Sequence, residues 1–450
     1  MISVEKRGKP AVTLVNKGFV HDALAAASSK GMPGLRVLPE SIAAECTIPN
    51  QIEAGVGAIL DEIIVALTSP LTDTEKSPVK KPEKTSRIIF EGSLDDVNLF
   101  FYKRGWSDGL PVIPPTEEKV VEMLKGTDLP PDYLVNKCLP RLGKATVEKI
   151  AINAVMAGAL PTYLPLLIAG VNALEESGYF RGMAVSAGSW APCYMVNGPV
   201  RRELHINSGP GVMSPGDIAN AAIGRAMGLI VKNIGGIRKG VEEMGTMGNP
   251  AKYTLVLAEN EEESPWEPLH VQGGFDKNDN VLSVIFPSSL LMMAIYGTND
   301  EGILRTMAYN IPPRRDGTTC LLLNPQHSGV LASAGWTKKD IVDFVCEYAR
   351  APVSHMPYHW GAFLGTPDKS IKGMAGQKGL LMSLKDSPQE SVRILRNPEM
   401  VKVYVMGGPG ADIGMLMGGG RWVMKKIDLP ANWDNLVKKY QDVVPTYARY

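Results

Sequence analysis

A block of carboxylates with a tryptophan and a histidine lies near the middle of the chain, in the segment ENEEESPWEPLH (259–270). A carboxylate packed against an indole ring has a raised pKa and can act as a general acid or base. Two carboxylates and a histidine can also hold a divalent metal, although the spacing here matches no specific metal motif. We therefore expect Glu261, Glu262 and His270 to be catalytic, with or without a metal on the same three residues. The alternative is a charged run on a solvated face.

Three apolar runs, each with the character of a strand, lead directly into polar or glycine-rich loops. KYTLVLA precedes the acidic block, CLLL precedes NPQHSG, and VKVYVM precedes GGPGADIGMLMGGG. In open α/β sheets, ligands bind beyond the carboxyl ends of the strands, where such loops converge. We expect these loops to share one polar site, in which His327 is catalytic and the substrate is bound by Asn324, Gly407, Gly408 and Gly410. Ordinary turn chemistry is the alternative for each loop.

The glycine-rich loop GGPGADIG (407–414) excludes the common nucleotide motifs, because it is neither GxGxxG nor GxxxxGK[ST]. If the loop opens a helix, its backbone N–H groups could still bind a carboxylate or a phosphate. A glycine-rich packing turn is the alternative. The sequence therefore indicates no nucleotide cofactor and leaves a divalent metal open.

Small and polar residues are concentrated in the segment RGMAVSAGSWAPCYMVNGPVRRELHINSGPG (181–211). Arg201 or Arg202 would suit a substrate carboxylate through a bidentate fork, and we place His205 and Asn207 beside them in substrate binding. Cys193 is the candidate thiol, because a thiolate paired with His205 would be nucleophilic. A buried cysteine and a hydrogen-bonded histidine are the alternative for this pair.

Two further histidines, His355 and His359, are four residues apart in PVSHMPYHWG, as on one face of a helix. Pro357 lies between them, so a continuous helix is doubtful, and the pattern is not HExxH. A metal pair is one reading of these histidines, and an aromatic-rich packed turn is the default.

The elements that would position these residues indicate an α/β protein with two parts. Residues 1–69 show a β-α-β-α pattern, and residues 70–88 are rich in charge, Pro, Ser and Thr and read as a linker. Residues 89–450 are expected to form a large α/β domain of one or two lobes. The first part has few core strands, so we expect it to dock onto the large domain or onto another chain. No internal repeat is evident. The capped pattern Thr337-Lys338-Lys339-Asp340 predicts a helix start, and we expect another at Ser214-Pro215-Gly216-Asp217.

The composition excludes several classes of protein. The 47 basic residues balance the 47 acidic ones, which argues against a general affinity for nucleic acid or an anionic membrane. Five scattered cysteines favour reduced thiols over a disulfide framework. The uncharged stretch 150–174 contains two prolines, so we expect two buried helices rather than a membrane span. Without a secretory signal at the N-terminus, we expect a cytoplasmic protein.

The segment GKPAVTLVNKGFVHDALAAASSKGMPGLRVLP (8–39) resembles the UGSC family, bacterial proteins named for a selenocysteine/cysteine-Gly-Ser-Cys motif. The blocks ENEEESPWEPLH and NPQHSGVLASAGWTKKDI are similar to those of larger uncharacterised bacterial proteins of the same group. The resemblance implies an α/β fold and a partner subunit. This chain contains no Cys-Gly-Ser-Cys sequence, so no redox residue of the family has a counterpart in it.

Together these features lead to two hypotheses of different classes. The first is an enzyme that acts on a small polar, carboxylate-bearing substrate by Glu/His acid–base chemistry, as a lyase, hydratase or hydrolase rather than an oxidoreductase. The second is a non-catalytic or co-catalytic subunit that completes a UGSC-like thiol or selenol redox partner. Both allow a homo- or hetero-oligomer.

Overall fold

A computed structural model describes residues 2–5, 7–29, 32, 34–40, 49–73, 86–178, 187–240, 242–313, 317–352 and 391–445. It confirms the expected α/β class, with a sheet that contains both parallel and antiparallel strands. Most of the expected linker lies outside the described residues, and so do His355 and His359.

The described helices are numbered here in chain order. They are α1 (Ile2–Glu5), α2 (Val20–Ser29), α3 (Pro49–Ala58), α4 (Leu60–Thr68), α5 (Leu94–Lys103), α6 (Glu117–Leu124), α7 (Val147–Ala157), α8 (Leu164–Glu176), α9 (Val200–Glu203), α10 (Ile218–Asn233), α11 (Leu269–Gln272), α12 (Asp300–Tyr309), α13 (Pro325–Ser333), α14 (Lys338–Tyr348) and α15 (Trp433–Tyr440). The described strands are β1 (Val12–Asn16), β2 (Arg36–Glu40), β3 (Leu134–Cys138), β4 (Gly143–Thr146), β5 (Cys193–Asn197), β6 (Val256–Ala258), β7 (Val281–Ala294), β8 (Thr319–Leu323), β9 (Arg350–Pro352), β10 (Ser391–Arg393), β11 (Val401–Val405) and β12 (Asp412–Lys426).

Near the N-terminus, β1 and β2 pair in parallel and α2 connects them. The second helix of the expected β-α-β-α pattern is divided at Ile59 into α3 and α4. Two glycines within α3 weaken helix formation there, since glycine costs about 1 kcal/mol relative to alanine. On α4, Leu60, Ile64 and Val65 remain about half exposed.

A six-stranded sheet in the order β11–β8–β12–β7–β5–β6 forms the centre of the molecule. Its two edges meet, because the N–H of Asn260, just after β6, donates to the carbonyl of Val405 at the end of β11 (2.8 Å). Each of the six strands contributes side chains to one buried cluster, namely Cys193, Met195, Leu257, Ile285, Cys320, Leu322, Tyr404 and Leu416. The sheet therefore curls into a barrel-like form around this interior.

The barrel consists of two units that repeat the same order of elements. In the first unit, β5 and β6 are parallel, α10 connects them, and β7 pairs antiparallel with β5. In the second unit, β8 and β11 are parallel, α13 and α14 lie between them in the chain, and β12 pairs antiparallel with β8. In the first unit, Cys193 of β5 pairs with Ile285 of β7. At the equivalent position of the second unit, Cys320 of β8 pairs with Leu416 of β12. This repetition of topology was not evident in the sequence.

Each unit covers its own side of the barrel with helices. One buried cluster joins α7, α8 and α10 to the first unit, and a second joins α12, α13 and α14 to the other. The uncharged stretch 150–174 falls into α7 and α8, which are separate buried helices, as expected. Within the described residues, no helix is long and apolar enough to span a membrane.

The two expected helix starts have different outcomes. Thr337 and Asp340 form a capping box at the start of α14, as the sequence predicted. The expectation for Ser214-Pro215 was wrong, because α10 begins only at Ile218. Gly216 has a φ of 137°, which a helical residue cannot adopt, and Asp217 accepts a hydrogen bond from Asn207 Nδ2 instead of capping.

The glycine-rich loop also differs from expectation, since it leads into the long strand β12 and opens no helix. The glycines within β12 allow a close approach to β7, and a Cβ added at Gly418 would lie 1.9 Å from the carbonyl oxygen of Phe286. Glycine in a strand interior often marks such an approach. The helix N-terminus that an anion cradle would need is therefore absent from this loop.

Candidate functional site

A buried carboxylate, Glu259, lies directly after β6 and is held by three donors. Its Oε1 accepts from Lys338 Nζ (2.8 Å), and its Oε2 accepts from Asn197 Nδ2 (2.7 Å) and from the backbone N–H of Leu269 (2.8 Å). Glu259 is fully buried and Lys338 is only 6% exposed. Acids and lysines are almost never this buried unless they are paired. The pair joins the end of β6 in the first unit to the start of α14 in the second.

A second carboxylate, Glu261, is anchored through one oxygen only. Its Oε1 accepts from Asn197 Nδ2 (3.0 Å) and from the N–H of Gly198 (2.8 Å), and lies 3.0 Å from Arg201 Nε. Its Oε2 accepts no hydrogen bond from the described residues. The side chain is 11% exposed. One oxygen thus fixes the carboxylate while the lone pairs of the other stay available, which is the arrangement a general base requires.

His270 lies beside Glu261 and presents an unpaired nitrogen. Its Nε2 is 3.3 Å from the carbonyl oxygen of Lys277, which can only accept, so we assign a ring hydrogen to Nε2. In the tautomer with its single hydrogen on Nε2, Nδ1 is an acceptor; it is buried, has no hydrogen-bond partner among the described residues, and lies 4.0 Å from Glu261 Oε1. Two acceptors that face each other favour a bound donor between them, such as a hydroxyl or a water molecule.

The guanidinium of Arg201 binds other residues of the protein and is not available to a substrate. Its Nη1 and Nη2 lie 3.3 and 3.1 Å from the two carboxylate oxygens of Glu262, and Nη1 also donates to the carbonyl of Glu259 (2.5 Å). The fork expected for a substrate carboxylate is therefore occupied by Glu262. Arg202 is the exposed guanidinium of the two, with Nη1 3.9 Å from Glu262 Oε1.

The same contacts define the protonation state of Glu262. Burial raises the pKa of Glu262, but the hydrogen bonds and the charge of Arg201 outweigh burial and lower the pKa below its ordinary value. Glu262 is therefore ionised at neutral pH, which is unfavourable for a general acid.

The metal hypothesis finds no support in this arrangement. Among the described residues, no group of three or more His, Cys, Asp or Glu side chains is placed to hold a metal ion. Glu262 is turned toward Arg201, and only Glu261 and His270 of the three expected ligands face each other. The other expected pair, His355 and His359, lies outside the described residues.

Four residues of this network were absent from the expected site: Asn197, Glu259, Lys338 and Tyr404. The Tyr404 hydroxyl donates to Asn197 Oδ1 (2.6 Å), and all four side chains are buried. Burial raises the pKa of Tyr404 well above its ordinary value, and the nearby Glu259 and Glu261 add to this effect. Asn197 could have been found as the polar residue that ends an apolar run, in the same way as Asn324. Nothing in the local sequence marks Tyr404.

In the second unit, Asn324 and His327 brace the glycine-rich loop. Asn324 Nδ2 donates to the carbonyls of Gly410 (2.7 Å) and Asp412 (2.9 Å), and its Oδ1 accepts from the N–H of His327 (2.8 Å). The His327 ring lies 3.3 Å from the carbonyl of Ile295, and burial lowers the pKa of His327. Asn324 corresponds to Asn197 in the repeated unit, but it binds carbonyls where Asn197 binds carboxylates. The acid–base groups are thus concentrated in the first unit.

The glycine-rich loop packs closely against the segment that follows α9. The N–H of Gly407 donates to the carbonyl of Ser208 (2.8 Å), and a Cβ added at Gly408 would lie 2.5 Å from Pro210 Cγ. Asn207, in the same segment, donates through Nδ2 to the carbonyl of Pro210 and to Asp217. These contacts give the loop and Asn207 a role in packing.

Cys193 and His205 do not form the expected pair. Cys193 is fully buried in the barrel interior, whereas His205 lines a small cavity with Thr162 and Tyr440. Burial raises the pKa of the Cys193 thiol far above its ordinary value, which disfavours a nucleophilic thiolate.

We expect Cys193 to resist a thiol reagent in the native protein. The test is labelling with a maleimide at neutral pH, followed by peptide mapping, with protein unfolded in urea as the positive control. Cys138, Cys320 and Cys346 are also buried and outside any disulfide, and we expect them to behave in the same way. Rapid labelling of native protein at Cys193 would contradict this assignment.

A surface cavity of about 610 Å³ opens beside the buried Lys338 and is lined by Trp266, Gln272 and Lys402 among others. This volume lies within the range of small-molecule sites, roughly 300–1,000 Å³. The acidic network therefore has one member, Lys338, in the wall of a cavity that admits a small ligand.

Comparisons with known proteins return no relative of this chain. No family model matches it, and no curated protein and no solved structure matches it either. The assignment of function depends on the geometry of the site.

Proposed function

We propose that this protein is an enzyme that removes a proton from a small, polar, carboxylate-bearing substrate or from a water molecule, with Glu261 as the general base. The observation that carries the proposal is the one-sided anchoring of Glu261, which fixes Oε1 with two hydrogen bonds and the charge of Arg201 and leaves Oε2 available. His270 Nδ1, 4.0 Å from the anchored oxygen, is the second acceptor for a donor group on the substrate.

The neighbouring residues have distinct parts in this proposal. Asn197 and Arg201 hold the Glu261 carboxylate, and the buried Glu259–Lys338 pair holds Asn197 in turn. Arg202, which is exposed beside the acidic block, supplies a cation for the substrate carboxylate. Proton abstraction next to a carboxylate fits a lyase or hydratase, and activation of water fits a hydrolase.

The test is a turnover screen with small hydroxy, keto and unsaturated carboxylic acids, followed by the variant Glu261→Gln on any substrate that reacts. We expect Glu261→Gln to reduce kcat by at least tenfold, since general base catalysis contributes roughly 10²–10⁴-fold. Glu263→Gln is the matched control, because Glu263 lies two residues further on in the same acidic block and its carboxylate accepts from Asn260 rather than from the network. Equal activity in both variants would reject Glu261 as the base.

A further inference from the structure

The side-chain amide of Asn197 has two different ends, and each meets a partner of matching chemistry. Its Nδ2 carries two hydrogens, which are directed at Glu259 Oε2 (2.7 Å) and Glu261 Oε1 (3.0 Å). Its Oδ1 is an acceptor and meets the hydroxyl of Tyr404 (2.6 Å). An ionised carboxylate only accepts, so the reverse orientation of the amide would bring oxygen against oxygen at both acids.

Among the described residues, the hydroxyl of Tyr404 is the only donor to Asn197 Oδ1. Asn197 is fully buried, and the side chains that fill the barrel interior around Tyr404 are mostly apolar. A buried acceptor without a donor costs about 1–3 kcal/mol. With no donor at Oδ1, the amide would be drawn away from the two acids toward another polar group.

The equivalent asparagine of the second unit shows why a tyrosine is needed only once. Asn324 Oδ1 accepts from the backbone N–H of His327, so the helix start next to it supplies the donor. Leu257 in β6 occupies the place in the barrel interior that corresponds to Tyr404 in β11. Asn197, which binds carboxylates, therefore has a tyrosine hydroxyl beside it. Asn324, which binds carbonyls, has none.

We propose that Tyr404 is a positioning residue, whose hydroxyl holds the Asn197 amide so that it donates to Glu259 and Glu261 together. Its effect on catalysis rests on the proposed role of Glu261, but its effect on the amide does not. Tyr404 comes from the second unit and Asn197 from the first. The backbone beside Tyr404 is fixed to the acidic block, because Val405 accepts a hydrogen bond from Asn260 (2.8 Å).

Tyr404→Phe removes this hydroxyl from the full-length protein, and Tyr194→Phe is the matched control. Tyr194 is also buried, and its hydroxyl has no hydrogen-bond partner among the described residues. We expect Tyr404→Phe to raise the equilibrium constant for unfolding about tenfold, whereas Tyr194→Phe changes it by about twofold at most.

The decisive readout is the ¹⁵N–¹H signal of the Asn197 side-chain NH₂ group, which a loss of packing alone would not move selectively. We expect this signal to shift in Tyr404→Phe and to stay in place in Tyr194→Phe, with the Asn324 signal unchanged in both. If Tyr404→Phe does not fold, 3-fluorotyrosine at position 404 keeps the packing and strengthens the donor, and the Asn197 signal should again shift alone.

An Asn197 signal that is unchanged by either substitution at position 404 would overturn the proposal. The same holds if Tyr404→Phe and Tyr194→Phe are equally stable and shift the Asn197 and Asn324 signals alike. None of these measurements uses a substrate. Failure of the Glu261→Gln test would therefore reject the proposed function and leave the role of Tyr404 standing.

Discussion

Replacing Lys338 with methionine should lower the free energy of unfolding by about 3–5 kcal/mol, because one partner of a buried ion pair is removed. Methionine keeps most of the aliphatic length of lysine, so the change acts mainly on charge. The fully buried carboxylate of Glu259 would keep its contacts with Asn197 and Leu269 but lose the only cationic donor that it has among the described residues. Urea unfolding at pH 7 measures the effect.

The neighbouring lysine provides the control for this experiment. Lys339 is also in the first turn of α14, but its side chain is 81% exposed and it pairs with Asp343 at the surface. We expect Lys339→Met to cost less than about 1 kcal/mol, as is usual for surface pairs. The double variant Glu259→Gln/Lys338→Met should recover part of the loss, because it removes the unpaired charge. A Lys338→Met variant as stable as Lys339→Met would contradict the importance of the pair.

The second large effect is a loss of stability on acidification. It is expected from Glu242, which is buried away from the candidate site. Burial raises the pKa of Glu242, but hydrogen bonds from Arg238 and Arg141 outweigh burial and lower the pKa to about 2 from its usual 4.5. A carboxyl whose pKa is lowered on folding stabilises the protein above its unfolded pKa. This stabilisation should therefore be complete above about pH 5 and should disappear as the pH falls toward 2.

Glu242→Gln should remove this part of the pH dependence. We expect the free energy of unfolding of the variant to be about 2–3 kcal/mol below that of the wild type at pH 7. This difference should disappear as the pH falls toward 2. Glu243→Gln is the control, because Glu243 is the next residue and pairs with Lys252 in a less buried place. Urea unfolding between pH 2.5 and 7 gives both curves. A gap that stays constant over this range would show that Glu242 acts through packing alone.

The sequence predicted the parts of the fold that depend on local patterns. The class, the capped start of α14 and the division of residues 150–174 into two helices all follow from spacing and caps within one segment. β12 was missed because its glycines read as a turn, and they are tolerated in the strand because β7 lies so close to it. The repeat of topology was missed because few residues recur between the units.

The candidate site could be predicted only where its residues are close together in the sequence. The acidic block identified Glu261 and His270, whereas Lys338 and Tyr404 bind to partners 79 and 207 residues away. Such contacts exist only after the sheet has closed. Arg201 was predicted to bind substrate but pairs with Glu262 instead. A sequence does not show whether a guanidinium is already paired within the protein.

We expect the site to form late in folding, because it depends on the meeting of the two sheet edges at Asn260 and Val405. Contacts between residues far apart in the chain carry a large cost in loop entropy and form slowly. An intermediate in which only one unit has folded would leave Glu259 and Lys338 in water, and Asn197 without its tyrosine. Such a species would already contain the acidic block, but the hydrogen bonds that fix its carboxylates would be incomplete. On the proposed function, we therefore expect the acidic block to become competent for proton transfer only when the barrel is complete.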